Sequence, residues 1–298
     1  MATIAAPPLE QFAYGPVNPV LAFVFSFLGA LFGLMCTARA RRAPRTRRAR
    51  WLAIAAMAIG GQGIWLMHFM AMLGFDVPTA TIRYNVVLTV ASLIIAIAVV
   101  TIGLFIAGYS RPTAFKIVAG GVLTGTGVAA MHYTGMAAMN INYRVSYDIR
   151  TVALSLGIAV VAATAALWFT VSLSGTRPIL VAALIMAIAV CGMHYTGMVA
   201  LHVHAGHISG PVPGISPLAF LAPIVIVTAA SLIGLGFMSL NMASDEDFRL
   251  TVDWQVLDID GPTVAYAPVR GVRPAAVQGM WQAPHRTAHR PPESHRGR

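Results

Sequence analysis

The sequence predicts an all-α polytopic membrane protein with seven transmembrane helices, built from three helical-hairpin repeats and one extra helix. The first observation is composition: 57% of the 298 residues are hydrophobic and 10% are charged, whereas soluble domains are about 25% charged. The second is that the apolar residues form long continuous runs, which favours helices over the alternating strands of a barrel. The third is a short motif that occurs three times at the spacing of a helical hairpin.

Seven apolar stretches can cross a hydrocarbon core about 30 Å thick, which takes about 20 helical residues. They lie near 18–38, 51–73, 85–108, 114–139, 151–173, 178–201 and 218–240. The first seventeen residues contain no Lys or Arg, and no cleavage site is evident after the first stretch. We therefore interpret that stretch as a retained anchor rather than a signal peptide.

The distribution of Lys and Arg predicts the orientation of the helices. Segment 39–50 holds seven arginines, and Arg111, Lys116, Arg177 and the C-terminal tail lie on the same predicted side. The positive-inside rule then places the N-terminus outside and the tail in the cytoplasm. The chain divides into an outer segment (1–17), a helical domain (18–240) and a cytoplasmic tail (241–298). The net charge of +10 is explained by this topology, and no nucleic-acid partner is expected.

The tail has two parts. Residues 248–268 alternate in polarity and are typical of a short hairpin with Asp260 and Gly261 at its turn. From about 271 the composition is rich in Pro, Arg and His, which predicts disorder. The tail is either a solvated segment that helps to fix topology or a contact for anionic lipid headgroups.

The three copies of the motif align without gaps. They begin at Trp65, Ala129 and Cys191, and each places a histidine at its fourth position. The histidines His68, His132 and His194 are separated by 64 and 62 residues, or two crossings, so all three should lie at one depth. Small residues seven positions before each histidine should allow close helix packing; they are Gly61, Gly125 and Ala187.

The histidines share a helix face with methionines one turn further on, since residues four apart lie on the same face. Apart from Tyr and Cys, they are the ionisable side chains deep in the spans, which makes them functional candidates. Thioether and imidazole together favour copper, whereas zinc sites more often use Cys or carboxylate. The alternative is ordinary packing with buried, hydrogen-bonded histidines. The predicted metal ligands are His68, His132 and His194, Met72, Met136 and Met198 one turn on, and Met67, Met131 and Met193 just before each histidine.

Other side chains near the motif leave alternatives open. Cys191 precedes His194 by three and can share its face, but it occurs in one copy only. A disulfide between Cys36 and Cys191 is not expected, because they lie in different spans toward opposite faces. Tyr133 and Tyr195 are either interfacial anchors or hydrogen-bonding groups at the site, and Phe69 replaces them in the first copy. A further group after the sixth span is either a shallow metal-capture patch or an exposed polar loop; it comprises His202, His204 and His207.

Two copies of the motif read Met-His-Tyr-Thr, at 131–134 and 193–196, and the first is a divergent Met67-His68-Phe69-Met70. Over roughly 18–240 the chain resembles the bacterial MHYT-domain integral membrane sensors. The resemblance implies a seven-helix unit that senses a diatomic gas (oxygen, carbon monoxide or nitric oxide) through copper bound near the outer face. Well-known members carry cytoplasmic output domains. The 58-residue tail contains no such catalytic sequence, so we expect output through a separate cytoplasmic partner or the tail.

We therefore expect a membrane sensor that is not an enzyme, since the spans contain no nucleophile or carboxylate acid–base set. Two alternatives remain. A copper-handling or transport protein would need polar residues continuing toward the cytoplasm, and the sequence has none of this kind. An electron carrier would hold haem between two of the histidines.

Overall fold

The computed structural model describes residues 9–78, 80–208 and 210–220, with scattered positions from 222 to 237, and the structural statements below refer to these residues. Six of its helices are long and apolar enough to cross a membrane, which confirms the predicted fold class. They are α1 (Val17–Arg42), α2 (Arg45–Met72), α3 (Val86–Gly108), α4 (Ala114–Ala137), α5 (Ile149–Ser172) and α6 (Thr176–Val199). A 3₁₀ turn, Pro217–Phe220, lies at the start of the predicted span 218–240. About half of the positions in that span, residues 1–8 and the tail with its predicted hairpin lie outside the described residues.

Side-chain caps fix where three of the helices begin. Asn85, Thr113 and Asp148 each accept the backbone N–H three residues on, at the starts of α3, α4 and α5. Such a cap satisfies one of the donors that a helix start leaves without an intrahelical partner. At Asp148 the hydroxyl and N–H of Thr151 both donate to the carboxylate, which holds the pKa of that carboxyl below its usual value.

The arginine-rich segment 39–50, expected as a loop, is mostly helical. Helix α1 runs to Arg42 and α2 begins at Arg45, so Ala43 and Pro44 alone separate them. Arginine has a high helix propensity, and a helix can continue beyond the lipid where its side chains reach water. Proline cannot extend α1, because it lacks a backbone donor. We call the end of the bundle that carries this segment the arginine end.

The six helices form a closed ring in chain order, with α6 packed against α1. The three motif-bearing helices, α2, α4 and α6, also contact one another. Each hairpin therefore contributes one motif-bearing helix to the interior of the ring, and the arrangement has approximate threefold symmetry. Helix α2 is the most buried of the six, since a larger part of its most apolar stretch lies inside the protein than in any other of these helices.

Close helix contacts depend on glycine at several places, one of which was predicted correctly. A Cβ at Gly125 would lie 2.5 Å from the Cα of Val160, so α4 and α5 touch backbone to backbone there. At Gly61 the nearest atom would be 3.9 Å away, whereas at Gly60 it would be the carbonyl oxygen of Ala96, at 2.7 Å. The close approach of α2 to α3 thus occurs one residue earlier than expected.

Helix α2 is not α-helical throughout. Its middle part, Met57–Leu66, is a π-helix that leads directly into the α-helical turn Met67–Met72 with His68. π-Helical turns are rare and frequently lie at functional sites. The corresponding parts of α4 and α6 are regular α-helix. The first repeat therefore departs from the symmetry of the other two just before its histidine.

Short strands that the sequence did not predict join the loops at the other end of the bundle, which we call the strand end. β1 (Ile82–Tyr84) pairs with β2 (Met139–Ile141), and β3 (Tyr143–Tyr147) pairs with β4 (Leu201–His207), both antiparallel. The N-terminal segment joins this end, since Glu10 and Asp76 exchange backbone hydrogen bonds of 2.9 and 2.7 Å. The loops after α2, α4 and α6 are thereby connected above the motif.

Candidate metal centre

The three motif histidines form one buried cluster inside the ring. His68, His132 and His194 are exposed by 1%, 0% and 1%. The Nδ1 atom of His68 lies 3.0 Å from Nδ1 of His194 and 3.2 Å from Nδ1 of His132. The ring planes cross at 73–86°. One ring nitrogen from each residue lies within 4.8 Å of the other two, and no other such His, Cys, Asp or Glu group occurs among the described residues.

The spacing of these nitrogens matches a three-imidazole metal site. A metal held by imidazole nitrogens at about 2.0–2.1 Å, with angles between tetrahedral and trigonal, separates them by about 3.3–3.6 Å. The observed 3.0 and 3.2 Å are slightly shorter, so a small outward movement of the rings would suffice. The donor set, imidazole without carboxylate or thiolate, is one that suits zinc, copper, iron or nickel.

Hydrogen bonding alone leaves the cluster poorly satisfied. A neutral imidazole has one N–H and one acceptor nitrogen, so the single lone pair on Nδ1 of His68 cannot accept well from two neighbours. A metal bound by the three lone pairs would remove that conflict. The Nε2 atoms of His68 and His132 are buried without a hydrogen-bond partner. Ligating histidines usually have such a partner, so we expect weaker metal affinity than in sites that provide one.

Glycines of the motif make room for the rings. A Cβ at Gly135 would lie 2.3 Å from Nε2 of His68, and one at Gly197 would lie 2.2 Å from Nε2 of His132. Each glycine follows its own histidine by three and receives the ring from the preceding repeat. Ala71 occupies the equivalent position in the first copy. This role was not predicted from the sequence, although the gapless alignment shows Gly-Met at the end of two of the three motifs.

All six predicted methionine ligands are buried. Met72, Met136 and Met198 follow the histidines by four and so lie on the same helix face, one turn toward the strand end. Met67, Met131 and Met193 are equally inaccessible. Their exposed fractions of 0–3% fit either ligands or packing residues, so their part in metal binding stays a prediction.

An apolar cavity of about 60 Å³ lies on the arginine-end side of the cluster. Its lining includes Ile64, Val128 and Val190, each four residues before a motif histidine and therefore on the same face one turn back. Met193, directly before His194, also lines it. A water needs about 10–15 Å³ and two to four polar partners. Because Thr124 and Thr170 are the only polar lining residues described, the cavity suits a small apolar molecule better.

The two tyrosines of the motif, Tyr133 and Tyr195, have different surroundings. The Tyr133 hydroxyl lies 2.7 Å from Oγ of Ser155 and so joins α4 to α5. The Tyr195 hydroxyl is buried without a partner, and its ring lies 5.5 Å from that of Phe12. Cys191 is not part of the histidine cluster, and no disulfide joins it to Cys36.

The histidines after α6 lie on a strand rather than in a loop. His202 and His204 are exposed on β4, opposite Ser146 and Arg144 of β3. Nε2 of His204 lies 2.6 Å from Oγ of Ser146. The side chain of His207 lies outside the described part of the structure. The described residues thus form no metal-binding group here.

A family model described as "Bacterial signalling protein N terminal repeat", MHYT, matches the chain three times, at residues 61–120, 125–183 and 188–247. Together the three matches cover more than half of the chain. The chain belongs to the MHYT family. Each MHYT repeat begins within a motif-bearing helix and extends into the next hairpin. The third reaches 247 and so includes the predicted span 218–240.

Relatives of this MHYT chain are named as cyclic di-GMP enzymes or as signalling proteins. The bifunctional diguanylate cyclase/cyclic di-GMP phosphodiesterase MucR of Pseudomonas aeruginosa is 34% identical over 80% of this chain and 36% of its own length. The cyclic di-GMP phosphodiesterase NbdA of the same species is 36% identical over 65% of this chain and 25% of its own length. Signaling protein YkoW of Bacillus subtilis is 28% identical over 52% and 20%. The chain thus spans about a third or less of these relatives, and no solved structure matches it.

Proposed function

We propose that this MHYT chain is a membrane sensor in which His68, His132 and His194 hold copper for detection of a diatomic gas (oxygen, carbon monoxide or nitric oxide) or a redox change. The observation that carries the proposal is the convergence of three buried Nδ1 atoms, two pairs of which are 3.0 and 3.2 Å apart. Bound copper would supply the redox and gas-binding chemistry. Met72, Met136 and Met198 would be the thioether ligands on the strand-end side.

The apolar cavity supports the gas part of the proposal. Small neutral gases lack charge and dissolve in apolar surroundings, whereas ions do not. Ile64, Val128 and Val190 would hold such a molecule one turn from the histidines and exclude water from it. Copper transport finds less support, because the described lining of this cavity offers no charged or sulfur-rich route beyond Met186 and Met193.

The signal would be transmitted to the cytoplasm at the arginine end of the bundle. We propose that this end faces the cytoplasm, by the positive-inside rule. The chain matches 36% of MucR and 25% of NbdA, so their enzymatic activities are not assigned to it. We propose instead that a separate cytoplasmic signalling partner contacts the arginine end, and that the sensor itself is not an enzyme.

Copper content tests the proposed centre directly. The purified full chain should contain about one copper per protein by mass spectrometry after copper loading and desalting. A His68→Ala/His132→Ala/His194→Ala variant should contain less than a tenth of that, because all three imidazole ligands are gone. His202→Ala/His204→Ala, which changes exposed histidines at the strand end, is the matched control and should keep its copper.

Equal copper in the triple variant and the wild type would place the metal elsewhere and end the assignment. Absence of copper from both proteins would instead leave the histidines as buried hydrogen-bonding groups. A Soret band in the wild type would favour haem over copper.

Filling the apolar cavity should slow the response to gas without removing the metal. Ala163 lines the cavity, and Ala163→Phe adds more volume than the space of about 60 Å³ can take without rearrangement. We expect copper content to stay near wild type while the nitric oxide-induced change in the copper electron paramagnetic resonance spectrum slows at least tenfold. Ala153→Phe is the control, since Ala153 is exposed on the same helix. An unchanged rate in Ala163→Phe would remove the cavity from the proposal.

A further inference from the structure

A second cavity, of about 650 Å³, lies at the arginine end, far along the helices from the histidines. Its described lining contains five cationic side chains and no acidic one; they come from α1, α2, the loop between α3 and α4, and the first turn of α4. They are Arg41, Arg45, Arg48, Arg111 and Lys116. The proposed sensor function does not use this cavity, which we call the basic pocket.

Two of the arginines are held in place by backbone carbonyls. Arg41 donates from both terminal nitrogens to the carbonyls of Thr170 and Leu173, at the end of α5. Arg48 donates from Nε to the carbonyl of Ala40 at 3.2 Å and from Nη1 to that of Tyr109 at 3.3 Å. Carbonyls orient a guanidinium without neutralising its charge, so both arginines remain cationic and fixed.

The other cations complete the pocket. Nζ of Lys116 donates to Oγ of Ser110 at 2.8 Å and to the carbonyl of Arg111 at 3.2 Å, which leaves its third proton available. The guanidinium of Arg45 lies 5.8 Å from the centre of the Tyr109 ring. Arg45 and Arg111 are exposed and can turn their donors toward an incoming group.

Five like charges around one opening repel one another and attract an anion. Guanidinium groups bind phosphate through paired hydrogen bonds, and Lys binds it as a point charge. The pocket is not wholly polar, because Ala107, Gly108 and Val171 form part of its wall. A fitting ligand therefore has a phosphate group and an apolar portion beside it.

We propose that the basic pocket binds the phosphate of an anionic phospholipid from the leaflet at the arginine end. The pocket lies at the ends of helices that are long and apolar enough to cross a membrane, so in the proposed topology a lipid phosphate reaches it without leaving the bilayer. The headgroup phosphate is bound by Arg45, Arg111 and Lys116, while Arg41 and Arg48 supply fixed positive charge behind it. The first acyl carbons rest on Val171, which is partly exposed in the pocket wall.

The test compares lipid retention by the full chain in nanodiscs. The probe is phosphatidylglycerol mixed into the phosphatidylcholine of the nanodiscs. The protein is then purified from them in mild detergent, and the phosphatidylglycerol that stays bound is quantified by mass spectrometry. We expect about one phosphatidylglycerol to stay with the wild type, and Arg45→Gln/Arg111→Gln to bind it roughly 30-fold more weakly, since each of the two cations near the surface contributes roughly fivefold. The matched control is Arg144→Gln/Arg150→Gln, which removes equal charge at the strand end and should stay within twofold of wild type.

Three outcomes would overturn the proposal. One is equal loss in both double variants, which would reflect net charge rather than the pocket. Another is unchanged lipid retention in Arg45→Gln/Arg111→Gln. If that variant unfolds at a lower temperature than the wild type, Lys116→Gln replaces it, and unchanged retention in Lys116→Gln would equally overturn the proposal. The third is displacement of the lipid by millimolar inorganic phosphate, which would assign the pocket to a soluble phosphorylated ligand.

Discussion

Gly197→Val is expected to displace the ring of His132 and to abolish stoichiometric copper binding. A Cβ at this position would lie 2.2 Å from Nε2 of His132, and valine adds two methyl groups to it. His132 is fully buried, so its ring cannot move out into solvent. Overpacking of this kind costs about 1–3 kcal/mol. Thermal unfolding in detergent and copper content by mass spectrometry are the two measurements.

Gly192→Val provides the control for this experiment. It lies on the same helix, and a Cβ there would meet nothing within 4 Å. Both variants place a β-branched residue in α6, so their difference isolates the contact with His132. If both keep the same copper content and melting temperature, the glycine does not position the ring.

Gly125→Leu is expected to have the largest effect on stability. A Cβ would meet the Cα of Val160 at 2.5 Å and the carbonyl oxygen of Ala159 at 2.7 Å. These are backbone atoms of α5, so relief requires the two helices to separate rather than one side chain to rotate. We expect a loss at the upper end of overpacking, about 3 kcal/mol, measured by thermal unfolding of the purified protein.

The comparison variant is Gly157→Leu on α5. Gly157 is exposed, and a Cβ there would meet nothing within 4 Å, while leucine has the better helix propensity by up to about 1 kcal/mol. This variant should unfold at the wild-type temperature or slightly above it. Equal melting temperatures for the two leucine variants would refute close α4–α5 packing at Gly125.

The sequence was sufficient to predict the convergence of the histidines. The lengths of the apolar runs define the helices, and the spacings of 64 and 62 residues bring His68, His132 and His194 to one depth. The turn of about 100° per residue then places them on corresponding faces. Hydropathy could not locate the helix ends near Arg42 and Arg45, since it measures where lipid ends and not where helical hydrogen bonding ends.

Other features depend on contacts between distant segments. The strands β1–β4 are three to seven residues long and form only because the loops at the strand end meet. The π-helix Met57–Leu66 carries no sequence signal that we recognise. In the sequence, Gly135 and Gly197 cannot be distinguished from small residues that allow helices to pack closely. Their contact with a histidine ring of the preceding repeat is visible only in the folded structure.

The closed ring has a consequence for how the protein is made. His68 is synthesised 126 residues before His194, its partner at 3.0 Å. At about 5–20 residues per second, translation separates them by roughly 6–25 s. During that interval an imidazole in lipid has an incomplete set of partners, which is costly. The first hairpin therefore enters the membrane carrying a polar group whose partners arrive only with the fourth and sixth helices, so the histidine cluster can form only after the sixth helix is in place.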